Sequence, residues 1–314
     1  MAVYTELSVD EVAAFFGVLG LGRPRSVRGI MTGIENTNYF VGTETGEYVL
    51  TLFERLTREH LPFYLHLMKH LAARGMPVPN PIASGSGEIL HELKGRPAVV
   101  VNRLAGESVT APSESHCRSI GKFLARMHVA GRDYPRYQDN PRGLAWWAEV
   151  TPVVSCCISD GQRSLLSSEL AFQKGIAASP SYGQLPKGPV HADLFRDNAL
   201  FDGEQLTGVF DFYFAGCDAL LFDIAVCLND WCVDGCTSRQ HDGRADAFLS
   251  GYDSVRMLTP PERALLPAMR RAGAFRFWLS RLWDLHLPRE AALLNAHDPS
   301  HFERILRALR EEIA

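Results

Sequence analysis

Val190-His191-Ala192-Asp193-Leu194-Phe195-Arg196-Asp197-Asn198-Ala199-Leu200-Phe201 is the stretch on which the reading of this chain turns. It runs His-x-Asp-x4-Asn, continues into an apolar segment and reaches an Asp202-Gly203 turn. A second apolar segment, Leu206 to Phe210, ends on Asp211. Two short apolar runs around Asp-Gly predict a β-hairpin, which would bring Asn198 and Asp211 to adjacent ends. Phosphoryl transfer needs a carboxylate that orients a hydroxyl nucleophile and accepts its proton. It also needs oxygen ligands that hold Mg2+ against the ATP phosphates. Asp193 suits the first task, and Asn198 with Asp211 suits the second. An Asp followed five positions later by Asn is the spacing of a phosphoryl-transfer loop.

Composition sets the frame for that chemistry. The chain has 314 residues, 46% hydrophobic and 22% charged, ordinary for a globular protein and enough for two cores. Net charge is −4 without a Lys/Arg block, which argues against nucleic acid or an anionic membrane as partner. Met1 to Glu11 has no basic region followed by an apolar run, so no signal peptide is expected. No apolar stretch is long enough to span a bilayer. The seven cysteines do not form a secreted scaffold. Cys227, Cys232 and Cys236 lack a CxxC pair and read as buried thiols rather than a zinc site. The expected compartment is the cytoplasm.

Taken in order, the chain opens with a capping box, Ser8-x-x-Glu11, before an apolar helix. Strands are predicted at Val27 to Met31, Asn38 to Val41 and Glu47 to Phe53. The small polar turn Thr32 to Asn38 lies between the first two, where backbone N–H groups and Asn36 or Asn38 can face phosphates. A helix from Thr57 to Arg74 follows, then a hairpin whose second arm is Pro97 to Asn102. Ala98 to Val101 is apolar on both faces, as in a central strand. Asn102-Arg103-Leu104-Ala105-Gly106 then reads as a hinge into a mostly helical remainder. This predicts an N-lobe over 1–102, β-rich and nucleotide-binding, and a C-lobe over 103–314, helical, with the catalytic loop and substrate site. Adenine would rest against Val100, Asn102 and Leu104 and over Leu200.

In the helical part His128 reads as a core histidine, and Trp146-Trp147 as pocket lining or helix anchor. Ser179 to Gly188 reads as loop. Ala219 to Trp231 is an apolar helix carrying Asp223 and Asp230 on one face. Buried acids need partners. Asp223 is expected to hold the catalytic loop, and Asp230 to meet a substrate ammonium. Arg196 and Arg142 are candidates for a substrate carboxylate. A long helix opens at Thr259-Pro260-Pro261-Glu262 with a kink or restart near Pro267. Ser300-x-x-Glu303 is expected to cap the last helix.

His191 to Asn198, with Asp211-Phe212-Tyr213-Phe214 and Leu221-Phe222-Asp223-Ile224-Ala225, resembles the aminoglycoside phosphotransferase and choline kinase superfamily. Gly33 to Phe40, Tyr48 to Glu54, Leu61 to Tyr64, Arg142 to Trp147 and Asn229 to Cys232 narrow the resemblance to the bacterial homoserine kinase branch. It implies an α+β, two-lobed protein-kinase-like fold, with a small antiparallel-sheet N-lobe and a larger helical C-lobe. It also implies ATP and Mg2+ as cofactors and phosphorylation of the L-homoserine hydroxyl in threonine biosynthesis. Asp193, His191 and Asp223 fall in the catalytic group. One departure from the wider kinase pattern is Thr51, where the third strand should carry a phosphate-gripping Lys; the homoserine kinase branch shares this Thr. Kinases for choline, hydroxylysine or an aminoglycoside are the near alternatives. A non-catalytic nucleotide-binding protein is the distant one.

Overall fold

The computed structural model describes residues 4–31, 36–234, 237–287 and 298–312. The chain divides into two compact units, residues 1–106 with 207–213, and residues 107–206 with 214–314. The first unit therefore runs past residue 102 and takes back a later segment that contains Asp211.

In the first unit, α1 (Val9–Val18) starts from the predicted capping box, with both halves of the Ser8–Glu11 exchange formed. Strands β1 (Ser26–Gly29), β2 (Asn36–Gly42) and β3 (Glu47–Phe53) precede α2 (Leu61–Ala73). Strands β4 (His91–Leu93) and β5 (Arg96–Asn102) complete an antiparallel sheet of order β1-β2-β3-β5-β4. Register fixes which side chains share a face: Leu50 lies opposite Val100, and Thr51 opposite both Asn38 and Val99. Tyr39, Val41, Leu50, Leu52, Ala98 and Val100 pack with Val12, Phe15 and Phe16 of α1 into one core. Each fully buried Val, Leu or Phe among them contributes about 1.5–3 kcal/mol. Asn38, Thr51, Val99 and Val101 consequently occupy the opposite face. α2 begins at Leu61 rather than Thr57, because its first-turn Pro62 suits a helix start. The returning segment is tied in by Val209 N–H donating to the Pro77 carbonyl at 2.9 Å. Tyr213 packs edge-on against Phe53 and Tyr64.

The second unit contains α3 (Glu114–Ala130), α4 (Leu144–Ser155), α5 (Asp160–Ala177) and α6 (Pro180–Gly183). Strand β6 (Lys187–Val190) leads into the decisive stretch, and β7 (Ala199–Asp202) leaves it. β7 pairs with β8 (Gln205–Val209), the predicted hairpin, but β8 ends before Asp211. β9 (Gly216–Ala219) pairs antiparallel with β6 and feeds α7 (Leu220–Trp231), which is buried along its whole length. α8 (Asp242–Asp253), α9 (Pro260–His286) and α10 (Ser300–Glu311) follow.

Three expectations are corrected here. α6 and β6 occupy most of the segment read as loop. α9 does not restart at Pro267: it runs as one helix, and its buried face from Leu265 to Leu282 carries it through the missing N–H. Ser300 is not a cap; the Asp298 carboxylate accepts from the Ser300 N–H at 2.9 Å instead. Of the two tryptophans, Trp147 is the anchor, buried edge-on to Phe275 and donating to the Arg142 carbonyl, while Trp146 lies under the Arg142 guanidinium. Cys227 and Cys232 are buried free thiols, and Cys236 lies outside the described residues. Among the described residues no helix is long and apolar enough to cross a membrane.

α3 and α8 cross through glycines. A Cβ on Gly121 would stand 2.1 Å from the Phe248 carbonyl oxygen, and one on Gly251 2.3 Å from that of Arg118. Neither backbone can retreat without parting the helices. Gly121→Ala is therefore expected to cost about 2–3 kcal/mol, the upper part of the overpacking range, read as a lower midpoint in urea unfolding.

Candidate active site

The decisive stretch is an irregular loop, residues 191–195, followed by a 3-10 turn at Arg196–Asn198. Irregular backbone this deeply buried needs partners for its polar groups, and α7 supplies them from one face. Asp223 accepts the His191 N–H at 2.7 Å and the Ala192 N–H at 2.6 Å. One turn on, Cys227 reaches the Leu194 carbonyl, which also accepts from Trp231 Nε1 at 3.0 Å. Asp230 accepts the Arg196 N–H at 2.8 Å. Positions 223, 227, 230 and 231 follow the i, i+4, i+7, i+8 spacing of one helical stripe. Ala192 is held at φ +63, a left-handed conformation that a non-glycine residue adopts at a cost. Strain of this kind persists only where surrounding contacts over-determine it.

A relay stands behind Asp223. Its carboxylate can only accept, so His128 Nε2–H donates to it at 3.2 Å, and His128 Nδ1 accepts from the Tyr252 hydroxyl at 2.8 Å. Arg256 donates to that hydroxyl oxygen and to Glu262, the residue that closes the α9 capping box. His128 is thus a satisfied core histidine with a second task, fixing the carboxylate that fixes the loop.

Asp193 is the partly exposed carboxylate that this loop presents. Its side chain keeps 16% of its surface, enough to be touched by an incoming hydroxyl. Asn198 Nδ2 donates to the Asp193 carbonyl at 2.8 Å and lies 3.4 Å from Oδ2. Because that amide nitrogen is committed to Asp193, Asn198 Oδ1 is left as an oxygen ligand. Burial pushes the Asp193 carboxyl above its ordinary range. Arg276 and His191 beside it pull it part of the way back. Arg276 Nη1 lies 3.4 Å from Asp193 Oδ1.

Other predicted residues find different employment. Asp230 and Arg196 are spent on each other, with Arg196 Nε at 3.2 Å and Nη2 at 3.3 Å from the carboxylate. The pairing, with the Arg196 N–H also on Asp230, gives both charges a task in fixing the loop. Val100 is engaged within the first unit. Its side chain is in the α1 core and its carbonyl accepts from Ile82 N–H at 2.8 Å. Asn102 Oδ1 accepts the Asn80 N–H at 2.7 Å, and Leu104 lies against Gly208. Leu200 is half-buried in β7. Asn36 and Asn38 lie on β2, where Thr51 Oγ1 donates to Asn38 Oδ1 at 2.7 Å. The residue in the lysine position therefore fixes an asparagine rather than supplying a charge. Of the predicted phosphate turn, Thr32 to Glu35 lie outside the described residues. Asp211 adopts φ +64, which Asp tolerates better than most residues.

Among the described residues no group of three or more His, Cys, Asp or Glu is placed to cage a metal. Mg2+ that travels with ATP asks for less: one or two protein oxygens, with phosphates and water completing its shell. Asn198 Oδ1 and the Asp211 carboxylate are hard oxygen donors of that kind.

Residues 26–258 match the phosphotransferase enzyme family. The chain belongs to that family. A curated homoserine kinase of Polaromonas naphthalenivorans (strain CJ2) is 62% identical over 98% of this chain and 97% of its own length. One from Janthinobacterium sp. (strain Marseille) is 52% identical over 99% and 97%. Among solved structures, an amicoumacin kinase in complex with AMP-PNP, Ca2+ and its ligand superposes with a TM-score of 0.71, at 18% identity over 98% of this chain and 93% of that one. A choline kinase from Cryptosporidium parvum Iowa II gives 0.62, at 15% identity over 91% and 92%. The phosphotransferase fold is thus shared where the sequences have diverged.

One residue of this phosphotransferase site escaped the sequence reading. Arg276 touches Asp193 from α9, far along the chain. The signal was present: a cation inside the aromatic run Phe275-Arg276-Phe277-Trp278, where an unpaired charge has no reason to be buried.

Proposed function

We propose that this chain is an ATP-dependent homoserine kinase that converts L-homoserine to O-phospho-L-homoserine, a step of threonine biosynthesis, in the cytoplasm. The observation that carries the chemistry is Asp193, an accessible carboxylate on a loop fastened at four points to α7. The acceptor is supported by relatives named homoserine kinase along almost their whole length.

In the proposed reaction Asp193 orients the side-chain hydroxyl of L-homoserine and accepts its proton as the oxygen attacks the γ-phosphorus. The bond to the β-phosphate oxygen breaks and ADP leaves. Mg2+, held by Asn198 and Asp211, would neutralise charge on the phosphates. Asp223 and His191 act on the loop rather than on substrate. The rising charge on the phosphoryl oxygens needs donors that Thr51 does not supply, and Asn36 with Asn38 is assigned that part in the first unit. Adenine is assigned to Asn102, Leu104 and Leu200.

ADP release coupled to a reporter enzyme, with Mg-ATP and a panel of L-homoserine, choline, hydroxylysine and kanamycin, tests the assignment. L-homoserine is expected to give by far the highest rate. A higher rate with another acceptor would replace the substrate and keep the reaction. ATP turnover indifferent to every acceptor would overturn both.

A further inference from the structure

Cys156 and Cys157 stand at the C-terminal end of α4, and both are exposed. Among the described residues the other cysteines are buried or, for Cys217, half-buried. The turn that carries the pair is tied down. Cys156 is the C-cap residue of α4, and the Cys157 N–H donates to the Val154 carbonyl at 3.0 Å. From α5, Arg163 Nε donates to the Ser155 carbonyl at 3.0 Å. Cys156 Sγ lies 2.9 Å from the Val153 carbonyl oxygen and 3.5 Å from Cys157 Sγ. The two thiols are therefore side by side before any ligand arrives. The contact with Cys156 also holds the Cys157 thiol above its ordinary pKa, so Cys157 is protonated at neutral pH.

Chemistry narrows what such a pair accepts. A disulfide fits poorly, because adjacent Cα atoms are about 3.8 Å apart and disulfides usually need about 4.4–6.8 Å. Zinc wants four ligands, and among the described residues no group of three or more His, Cys, Asp or Glu is placed to hold a metal. A trivalent arsenic centre with one carbon substituent wants only two sulfurs, and soft thiolates suit a soft centre. It is pyramidal, with angles near a right angle. Two sulfur bonds of about 2.3 Å, the length of a zinc–thiolate bond, span the 3.5 Å between these thiols at about 100°.

We propose that Cys156 and Cys157 form a chelating dithiol site for trivalent organoarsenicals. In the reaction with phenylarsine oxide two arsenic–sulfur bonds form and the arsenic–oxygen bond breaks. Both thiol protons leave with that oxygen as water. Arsenic stays trivalent, so no oxidant or reductant enters. Once the first sulfur is bound the second bond closes within one molecule, which raises affinity about 10²–10⁴-fold over a single thiol. The site does not depend on which acceptor the kinase phosphorylates.

The test adds equimolar phenylarsine oxide to the reduced full chain, to C156S and to C157S. Excess reagent is removed in the presence of mercaptoethanol, and the intact proteins are weighed by mass spectrometry. Wild type is expected to retain one phenylarsenic group, which peptide mapping places on Cys156 and Cys157. Dimercaptopropanol, a competing dithiol, is expected to release it where the monothiol does not. Each single variant is expected to bind at least about 100-fold more weakly and to lose the group to the monothiol. Both side chains are exposed, so the thermal midpoints of the variants should match wild type; if one variant does not fold, the other decides. Retention by C156S or C157S equal to that of wild type overturns the proposal. A group mapped to any other cysteine, Cys236 included, overturns it, as does wild type that retains none.

Discussion

Asp193→Ala is expected to lower kcat with L-homoserine about 10²–10⁴-fold, with KM for ATP close to that of wild type. The size follows from what is removed: the group that aims the hydroxyl and takes its proton. The nucleotide residues proposed on the first unit are untouched. Asp193→Asn should fall almost as far, since the amide keeps the shape but cannot take a proton. The pH profile gives an independent readout. Burial raises the Asp193 pKa above that of an ordinary aspartate, and Arg276 opposes the rise. The ionised form is the active one, so kcat/KM should fall as pH drops through a limb lying above the usual carboxylate range. Replacing Arg276 by Met removes the opposing charge and should move that limb to higher pH. Near-full turnover by Asp193→Ala would remove Asp193 from the mechanism.

How much of this could be read from the sequence depended on whether a residue's partner was near it in the chain. Ser8 and Glu11 are three residues apart, and their capping box forms as expected. The Thr45-Gly46 turn and the apolar run after it gave β3 its bounds, Glu47 to Phe53. α8 left no such trace. It meets α3 through Gly251 and Gly121, and its buried face mixes those small residues with only Ala245, Phe248 and Tyr252, a weak stripe to read. β6 and β9 were hidden for a related reason: each is four residues long and finds its partner beyond the catalytic loop.

The site divides along the same line. Asp193 and Asn198 share one loop, and their spacing displayed the chemistry. Arg276 touches Asp193 across 83 positions of sequence, and only the fold connects them. Asp230 was singled out as a buried acid in need of a partner, and Arg196 as a cation for a substrate carboxylate. What the sequence could not say is that they answer each other. Val100 was legible as a central strand residue, yet strand periodicity alone does not say which face meets α1.

Asp223→Ala should be the most damaging single change outside Asp193. Three buried donors, the His191 and Ala192 N–H groups and His128 Nε2, lose their acceptor together. Unsatisfied buried donors cost about 1–3 kcal/mol each. Partial relaxation of the loop brings the expected loss to about 3–5 kcal/mol, as when one side of a buried ionic contact is deleted. In thermal unfolding that corresponds to a drop of roughly 10 °C. Activity should fall at least about 10²-fold, since a reacting group displaced by about an ångström already costs that much. The relevant strain sits at Ala192, held at φ +63 by the contact that the substitution removes. Glycine occupies that region freely, so Ala192→Gly in the Asp223→Ala background should restore about 1 kcal/mol. It should restore little activity, because a relaxed loop does not aim Asp193. A double variant that regains stability without turnover would separate the two tasks of Asp223, anchoring the fold and orienting the base. An Asp223→Ala protein that melts within a few degrees of wild type and turns over normally would show that Trp231 and Asp230 hold the loop without it.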